Sequence, residues 1–299
     1  MLQNIETLHC LIGEQQISNF IPILHINPEQ VVLWYTDRTN KRVEFLEKVL
    51  KEKNINCIAE KISAYDLMNI IKDIEKSIKK DNQIKFDKVI FNLTGGTKLM
   101  ALGSFLVCQK YNIPFCYLQS EGGKNYLYSY IWKDIWPKLE ETIEISSNIR
   151  LEDYIRIHVG GFKQKEEKTY YEKLVIKSVE DIVDEIISNI YLEEALEVDM
   201  IFRIGNQVGI AEIKTRNRAT KKEGIDQLNT AGGREYFGTY TKKFLIVDRE
   251  YPENNKELAA VRGITVIELK NSPADVEDVK IDEKDKNFLI QTIVNEMAR

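Results

Sequence analysis

Residues 195–216, ALEVDMIFRIGNQVGIAEIKTR, read as a β-hairpin. The Gly205-Asn206 pair suits a two-residue type II′ turn, in which glycine takes a positive φ. Pairing outward from that turn sets Ile204 against Gln207, Asp199 against Glu212 and Glu197 against Lys214, and puts these four charged side chains on one face. Directly opposed residues have Cβ atoms about 4.5–5.5 Å apart, a separation at which two carboxylates repel unless a cation lies between them. Asp199 and Glu212 are therefore candidate metal ligands. The other face carries Val198, Met200, Phe202, Ala211 and Ile213, the side a core would take. The competing reading is a solvated hairpin face with a cross-strand ion pair, because open faces of antiparallel sheets are commonly charged.

A Glu-x-Lys triplet alone says little, since the chain has three, Glu166 to Lys168, Glu212 to Lys214 and Glu268 to Lys270. Only the middle one has an aspartate opposite it. Upstream, YYEKLVIKSVEDIV spaces Leu174, Val175, Val179 and Ile182 as a helix does, and its Glu172 offers a further carboxylate to the hairpin. A helix with Glu, a strand with Asp, a strand with Glu-x-Lys, then a helix and a strand (KKFLIVD) is an order that resembles the PD-(D/E)xK nuclease fold. Phosphodiester hydrolysis asks for a hard divalent cation, usually Mg²⁺ or Mn²⁺, held by oxygen ligands. A lysine beside the scissile phosphate offsets developing negative charge, and Lys214 lies two residues along the same face.

At 299 residues and 34.8 kDa the chain has room for two domains. Hydrophobic residues at 43% with 30% charged residues describe a soluble globular protein. No apolar run approaches the roughly 20 residues of a membrane span, and the first residues lack the pattern of a signal peptide, so no membrane partner and a cytoplasmic location are expected. Cys10, Cys57, Cys108 and Cys116 have neither CxxC spacing nor nearby histidine, which favours reduced thiols over zinc. His9, His25 and His158 fit no metal spacing and are expected to be structural. Of the net charge of −5, the excess acid lies beyond residue 150. Contact with nucleic acid there must come from local cations such as Lys214, Arg216, Arg218, Lys221 and Lys222.

Residues 1–130 alternate apolar runs (TLHCLIG, VVLWYT, INCIAEKIS, KVIFNLT, IPFCYLQ) with helical patterns at 40–53, 64–80 and 96–111. Strands alternating with helices predict parallel βαβ units and a Rossmann-like sheet, whose ligands bind beyond the carboxyl ends of the strands. At NLTGGTKLMA, Thr94-Gly95-Gly96-Thr97-Lys98 opens a helix from a buried strand, so backbone N–H groups, hydroxyls and an ammonium converge as an anion site requires. A glycine turn with threonine as N-cap is the plainer alternative.

The segments IGEQQISNFIPIL (12–24), VVLWYTDRT (31–39) and FNLTGGTKLMALGSF (91–105) resemble the CRISPR-associated Rossmann-fold (CARF) domain. The series AEIKTR, EGIDQL, AGGRE resembles the PD-(D/E)xK nuclease domain fused to it. The resemblance implies an α/β protein with a CARF ligand-sensing domain at 1–130, a connector at 131–167 and a restriction-endonuclease-like α/β domain at 168–299. It implies a DNase or RNase of type III CRISPR antiviral defence, a homodimer activated by cyclic oligoadenylate, most often cyclic tetra-adenylate. Ligand contacts would fall on Gly13, Gln15, Ser18 and Asn19, on Thr36, and on Asn92, Thr94, Gly95, Gly96, Thr97 and Lys98. The catalytic set would be Glu172, Asp199, Glu212, Lys214 and Gln227, with Asp199 and Glu212 on Mg²⁺ or Mn²⁺. A cyclic tetranucleotide has approximate two-fold symmetry, which suits two identical Thr-Gly-Gly-Thr-Lys cradles in an isologous dimer. Two other functions fit the same residues, a binding module that only holds the nucleotide and a ring nuclease that destroys the signal.

Overall fold

Valine-, isoleucine- and aromatic-rich runs form the strands of the first half, and the computed structural model describes residues 2–80, 86–146, 149–165, 169–193, 196–238 and 240–299. The first half holds β1 (Thr7–Leu11), α1 (Ile17–Ile26), β2 (Gln30–Tyr35), α2 (Asn40–Glu52), β3 (Asn56–Lys61), α3 (Leu67–Lys80), β4 (Val89–Asn92), α4 (Lys98–Tyr111) and β5 (Phe115–Glu121). A hairpin of β6 (Lys124–Lys133) and β7 (Trp136–Ile145) completes its sheet. The order is β3-β2-β1-β4-β5-β6-β7, parallel from β3 through β5 and antiparallel thereafter. Buried Leu11, Trp34, Ile70, Ile74, Phe91, Met100 and Val107 form a core between this sheet and α3 and α4.

Residues 131–145, read from sequence as part of a connector, belong to this sheet. Gly122 and Gly123 both take positive φ, which lets the chain reverse after β5 and run antiparallel to it. The chain forms two compact units, one of residues 1–149 and 156–158 and another of 150–155 and 159–299.

His9, in β1, is buried among aromatic rings. Its Nδ1 accepts from Trp34 Nε1 at 3.0 Å, and its ring stacks on Phe91 with centroids 4.2 Å apart. Burial lowers its pKa from 6.5 to about 3. The unfolded chain then takes up a proton near pH 6.5 that the folded unit refuses until about pH 3, so this contribution to stability is complete above pH 6.5 and is lost on acidification. Between pH 7 and 5 it should cost about 2 kcal/mol. Thermal melts of His9→Gln, which cannot titrate there, should show a shallower fall over that interval; an unchanged slope would remove His9 as the cause.

The second unit contains most of α5 (Leu151–Val159), then β8 (Lys163–Gln164), α6 (Tyr170–Val179), β9 (Glu185–Glu193), β10 (Leu196–Ile204), β11 (Gln207–Lys214), α7 (Glu223–Ala231), β12 (Lys242–Val247), α8 (Glu253–Val261), β13 (Ile264–Glu268) and α9 (Glu283–Met297). Its sheet order is β13-β12-β11-β10-β9-β8, with β11, β12 and β13 parallel and the other pairs antiparallel. The hairpin register is the one the turn specifies: Ile204 pairs with Gln207 and Met200 with Ala211, and Gly205 has φ +57°. Met200, Phe202, Ala211 and Ile213 face a core completed by Val175 and Ile176 of α6 and by Leu289 and Ile293 of α9. The structure is thus mixed α/β, built on two sheets.

Candidate functional sites

The charged face of the β10–β11 hairpin is not solvated. Asp199 is 4% exposed, Glu212 1% and Lys214 7%. Buried charge is costly unless paired, and here the three groups pair with one another. Lys214 Nζ contacts Asp199 Oδ2 at 3.4 Å and donates a short hydrogen bond to Glu212 Oε2. The β10–β11 ladder runs from the turn to Met200–Ala211, and beyond it Asp199 Oδ2 accepts the Ile213 N–H at 2.7 Å. The aspartate therefore reaches across the gap as the strands part, and brings its carboxylate to both Ile213 and Lys214. Glu212 Oε1 is buried and has no hydrogen-bond partner among the described residues.

Burial first, and the Asp199 charge second, push the Glu212 carboxyl well above the ordinary range, with Lys214 opposing them. Burial acts to lower Lys214, but the Glu212 and Asp199 carboxylates outweigh it and its pKa is raised. The lysine is thus held as an ammonium. A buried carboxyl perturbed in this way and joined to a cation marks a candidate functional site.

Helix α7 covers this face. A Cβ on Gly224 would come within 2.5 Å of Leu245 Cδ1 and 3.3 Å of Lys214 Cγ, so only glycine lets the helix lie this close to the lysine stem. Gln227, one turn along α7, has a buried Oε1 without a hydrogen-bond partner among the described residues. Glu172 is placed differently from the others. It lies in the first turn of α6 and is buried, but its Oε2 accepts the Thr169 N–H at 3.3 Å while its own N–H donates to Thr169 Oγ1 at 3.2 Å, which makes a helix capping box. No described contact joins it to Asp199 or Glu212. Among the described residues no group of three or more His, Cys, Asp or Glu is placed to hold a metal ion. Of the other two Glu-x-Lys triplets, Glu166 to Lys168 lies outside the described residues. Glu268 and Lys270 form an ion pair of 3.1 Å with each other, and Glu268 also accepts from Tyr251 N and Lys256.

In the first unit, the ends of β1 and β4 meet back to back. A Cβ on Gly95 would lie 2.1 Å from the Leu11 carbonyl oxygen, and one on Gly13 3.0 Å from Gly96 N. Gly96 has φ +72°. Several polar groups expected to meet a ligand also hydrogen-bond within this turn. Asn19 Nδ2 donates to Leu11 O, Asn92 Nδ2 to Ser18 O and Asn19 Oδ1, and Thr94 Oγ1 to Asn92 Oδ1 while accepting from Leu118 N. The Thr97 hydroxyl accepts from Met100 N as the N-cap of α4 and donates to Ala64 O at 2.8 Å. Ser18 Oγ donates to Gln15 O, and Thr36 is tied to Thr39. The turn leaves Lys98 exposed and Thr94, Gly95, Gly96 and Thr97 half-buried.

Gln16, unremarked in the sequence, secures the first loop, with Nε2 donating to Gly13 O at 2.9 Å. The β3–α3 segment was also missed. A cavity of about 520 Å³ opens at the carboxyl ends of β2 and β3, lined by Thr36, Asp37, Arg38, Lys61, Ser63 and Tyr65. Ala64, in the same wall, accepts the Thr97 hydroxyl, which ties the cavity to the Thr-Gly-Gly-Thr-Lys turn. The signal for it was only the general rule that βα loops line the ligand end of a parallel sheet.

A Rossmann-like sheet with a ligand-end cavity, followed by a mixed sheet with a buried Asp-Glu-Lys group, defines a two-part α/β protein. Residues 7–154 match the family model of the Card1 CARF domain, and this part of the chain has a Rossmann-like fold that agrees with it. Among solved structures, Can2 from Sulfobacillus thermosulfidooxidans, in complex with cyclic tetra-adenylate, superposes with a TM-score of 0.74 at 16% identity, over 97% of this chain and 99% of that one. Protein VC1899 from Vibrio cholerae gives 0.74 at 13%, over 98% and 99%. A type III CRISPR defence DNA nuclease activated by cyclic oligoadenylate gives 0.61 at 16%, over 84% of this chain but 46% of that one. At these identities the likeness is one of fold. No curated protein matches the chain in sequence.

Proposed function

We propose that the chain is a metal-dependent nuclease of type III CRISPR defence, cleaving DNA, RNA or both, and switched on by cyclic oligoadenylate bound to its CARF domain. The observation that carries the nuclease part is the buried Asp199–Glu212–Lys214 group on a hairpin with Glu-x-Lys order, the arrangement of a PD-(D/E)xK site in a restriction-endonuclease-like domain. The sensing part rests on the CARF match and on the fold shared with Can2, which was solved with cyclic tetra-adenylate.

Two carboxylates and an orphaned buried Oε1 fit a hard divalent cation, which commonly takes one or two protein carboxylates and leaves the rest of its shell to water and phosphate. Asp199 and Glu212 would hold Mg²⁺ or Mn²⁺ there, and the cation would polarise the scissile phosphate and acidify water. Lys214, held protonated by its two acids, offers positive charge to the phosphate as negative charge develops on it. Gln227 Oε1 offers an acceptor that orients water on the α7 side. Glu172 acts through the start of α6 rather than as a direct ligand. In the sensor, Gly95 and Gly96 amides and Lys98 receive a phosphate of the ring, while the adjoining cavity offers Tyr65, 63% exposed, and Arg38 to a base. Two such cradles in a homodimer would match a ring with two-fold symmetry.

Cleavage of plasmid DNA and labelled RNA, with each ring size and with Mg²⁺ or Mn²⁺, tests the whole reading. Cleavage dependent on both ring and metal is expected. Ring binding without cleavage would leave a binding module, and loss of the ring without added nucleic acid would identify a ring nuclease. Lys98→Ala should weaken cyclic tetra-adenylate binding about tenfold to a hundredfold, since a charge-assisted contact is worth about 1.5–3 kcal/mol, and should raise the activator concentration needed without changing the maximal rate. Calorimetry beside cleavage titrations reads both; unchanged values would reduce this turn to a helix cap.

A further inference from the structure

Asp248, the residue just after β12, is fully buried, yet its carboxylate receives donors from three places in the chain. Arg216 N–H donates to both oxygens at 3.1 Å, Ala274 N–H to Oδ2 at 3.0 Å, and the Arg249 guanidinium bidentately at 2.9 and 3.0 Å. Burial acts to raise its pKa, but the Arg249 guanidinium and the Ala274 and Arg216 amides outweigh it, so the carboxyl lies below the ordinary range and stays ionised. Arg249 also contacts Asp275 at 3.4 Å, and Tyr171 lies within electrostatic reach of both Asp248 and Asp285.

What this acid holds is the turn beyond the Glu-x-Lys strand. Lys214 is the last residue of β11 and pairs with Val247, so Asp248 and Thr215 continue side by side out of the sheet. Arg216 then takes φ +55°, a conformation that a residue with a Cβ disfavours. Nothing in the amino-acid type at 216 favours that turn. Its amide is fixed by Asp248, and the strand end carrying Lys214 is fixed with it.

We propose that Asp248 is a positioning residue of the candidate nuclease site: by clamping the left-handed Arg216 turn it keeps Lys214 between Asp199 and Glu212. The role rests on the nuclease reading above. Asn at 248 has the same shape but offers one acceptor where amide and guanidinium donors converge, and turns an NH₂ toward them. The strand end is then released by a fraction of an ångström to about 1 Å, a displacement that can cost on the order of 10²-fold in rate.

The test uses the full chain with cyclic tetra-adenylate, Mn²⁺, plasmid DNA and labelled RNA. Asp248→Asn should lower kcat by about tenfold to a hundredfold with the half-activating ring concentration unchanged. Asp285→Asn is the control, since Asp285 is equally buried but holds Asn271 and Ser272. It should lower the melting temperature without the kcat loss. If Asp248→Asn does not fold, Arg249→Gln, which removes two of the ties, should still lower kcat about threefold or more. A kcat within twofold of the original, or an equal loss in Asp285→Asn, would each overturn the positioning role while the nuclease reading stands. An original chain that cleaves neither nucleic acid would overturn both.

Discussion

Glu212→Gln is expected to leave the chain folded and its ring bound while cutting nucleic-acid cleavage by at least roughly 10²–10³-fold. The reason lies in the environment of the group. Burial and the Asp199 charge already make Glu212 costly to ionise, and the neutral amide keeps its shape, so the melting temperature should not fall. Lost instead is half of the paired negative charge that would hold a divalent cation, together with the Oε1 that no protein donor uses. Asp199→Asn should lose cleavage to the same extent but also some stability, because Asp199 Oδ2 accepts the Ile213 amide where the strands part. Calorimetry with cyclic tetra-adenylate, thermal melts and cleavage with Mg²⁺ or Mn²⁺ separate these effects. Full cleavage by either variant would remove the hairpin as the active site.

Gly95→Ala should have the largest effect on the sensor. The added Cβ would lie 2.1 Å from the Leu11 carbonyl oxygen and 3.0 Å from Asn19 Nδ2. Neither can yield easily, since Leu11 ends the strand hydrogen-bonded between β2 and β4 and Asn19 is buried and bonded to both strand ends. Overpacking of this kind costs about 3 kcal/mol, or about 6–12 °C in a unit of this size. The turn must also shift away from β1, so ring binding should be lost even at temperatures where the unit is folded. Gly122→Ala is the matched control, for its Cβ would meet nothing and only its φ of +57° is strained. It should cost about 1 kcal/mol and leave affinity intact. Equal affinity in Gly95→Ala would show that the ring does not use this turn.

The two variants also mark how far the sequence reaches. Local pattern determined the hairpin, because a two-residue turn admits one register and period-2 alternation assigns each side chain to a face. It determined the parallel strands and the helices after β2, β3 and β4, which differ from the structure by a few residues at their ends. It also pointed to Gly95 and Gly96, since paired glycines between a buried strand and a helix have few other uses. Tertiary structure decided what each polar group is free to do. The hydroxyls of Thr94 and Thr97 and the amides of Asn19 and Asn92 hydrogen-bond within the fold, and Glu172 caps its own helix. The acids of the hairpin face are buried beneath α7 rather than solvated, and Asp248 clamps a turn 32 residues away in sequence. Such partners come from distant segments, and a hydrogen bond or a burial between them leaves no periodicity in the chain. The sequence determined which chemistry could be assembled, and packing decided which of those groups remain available to carry it out.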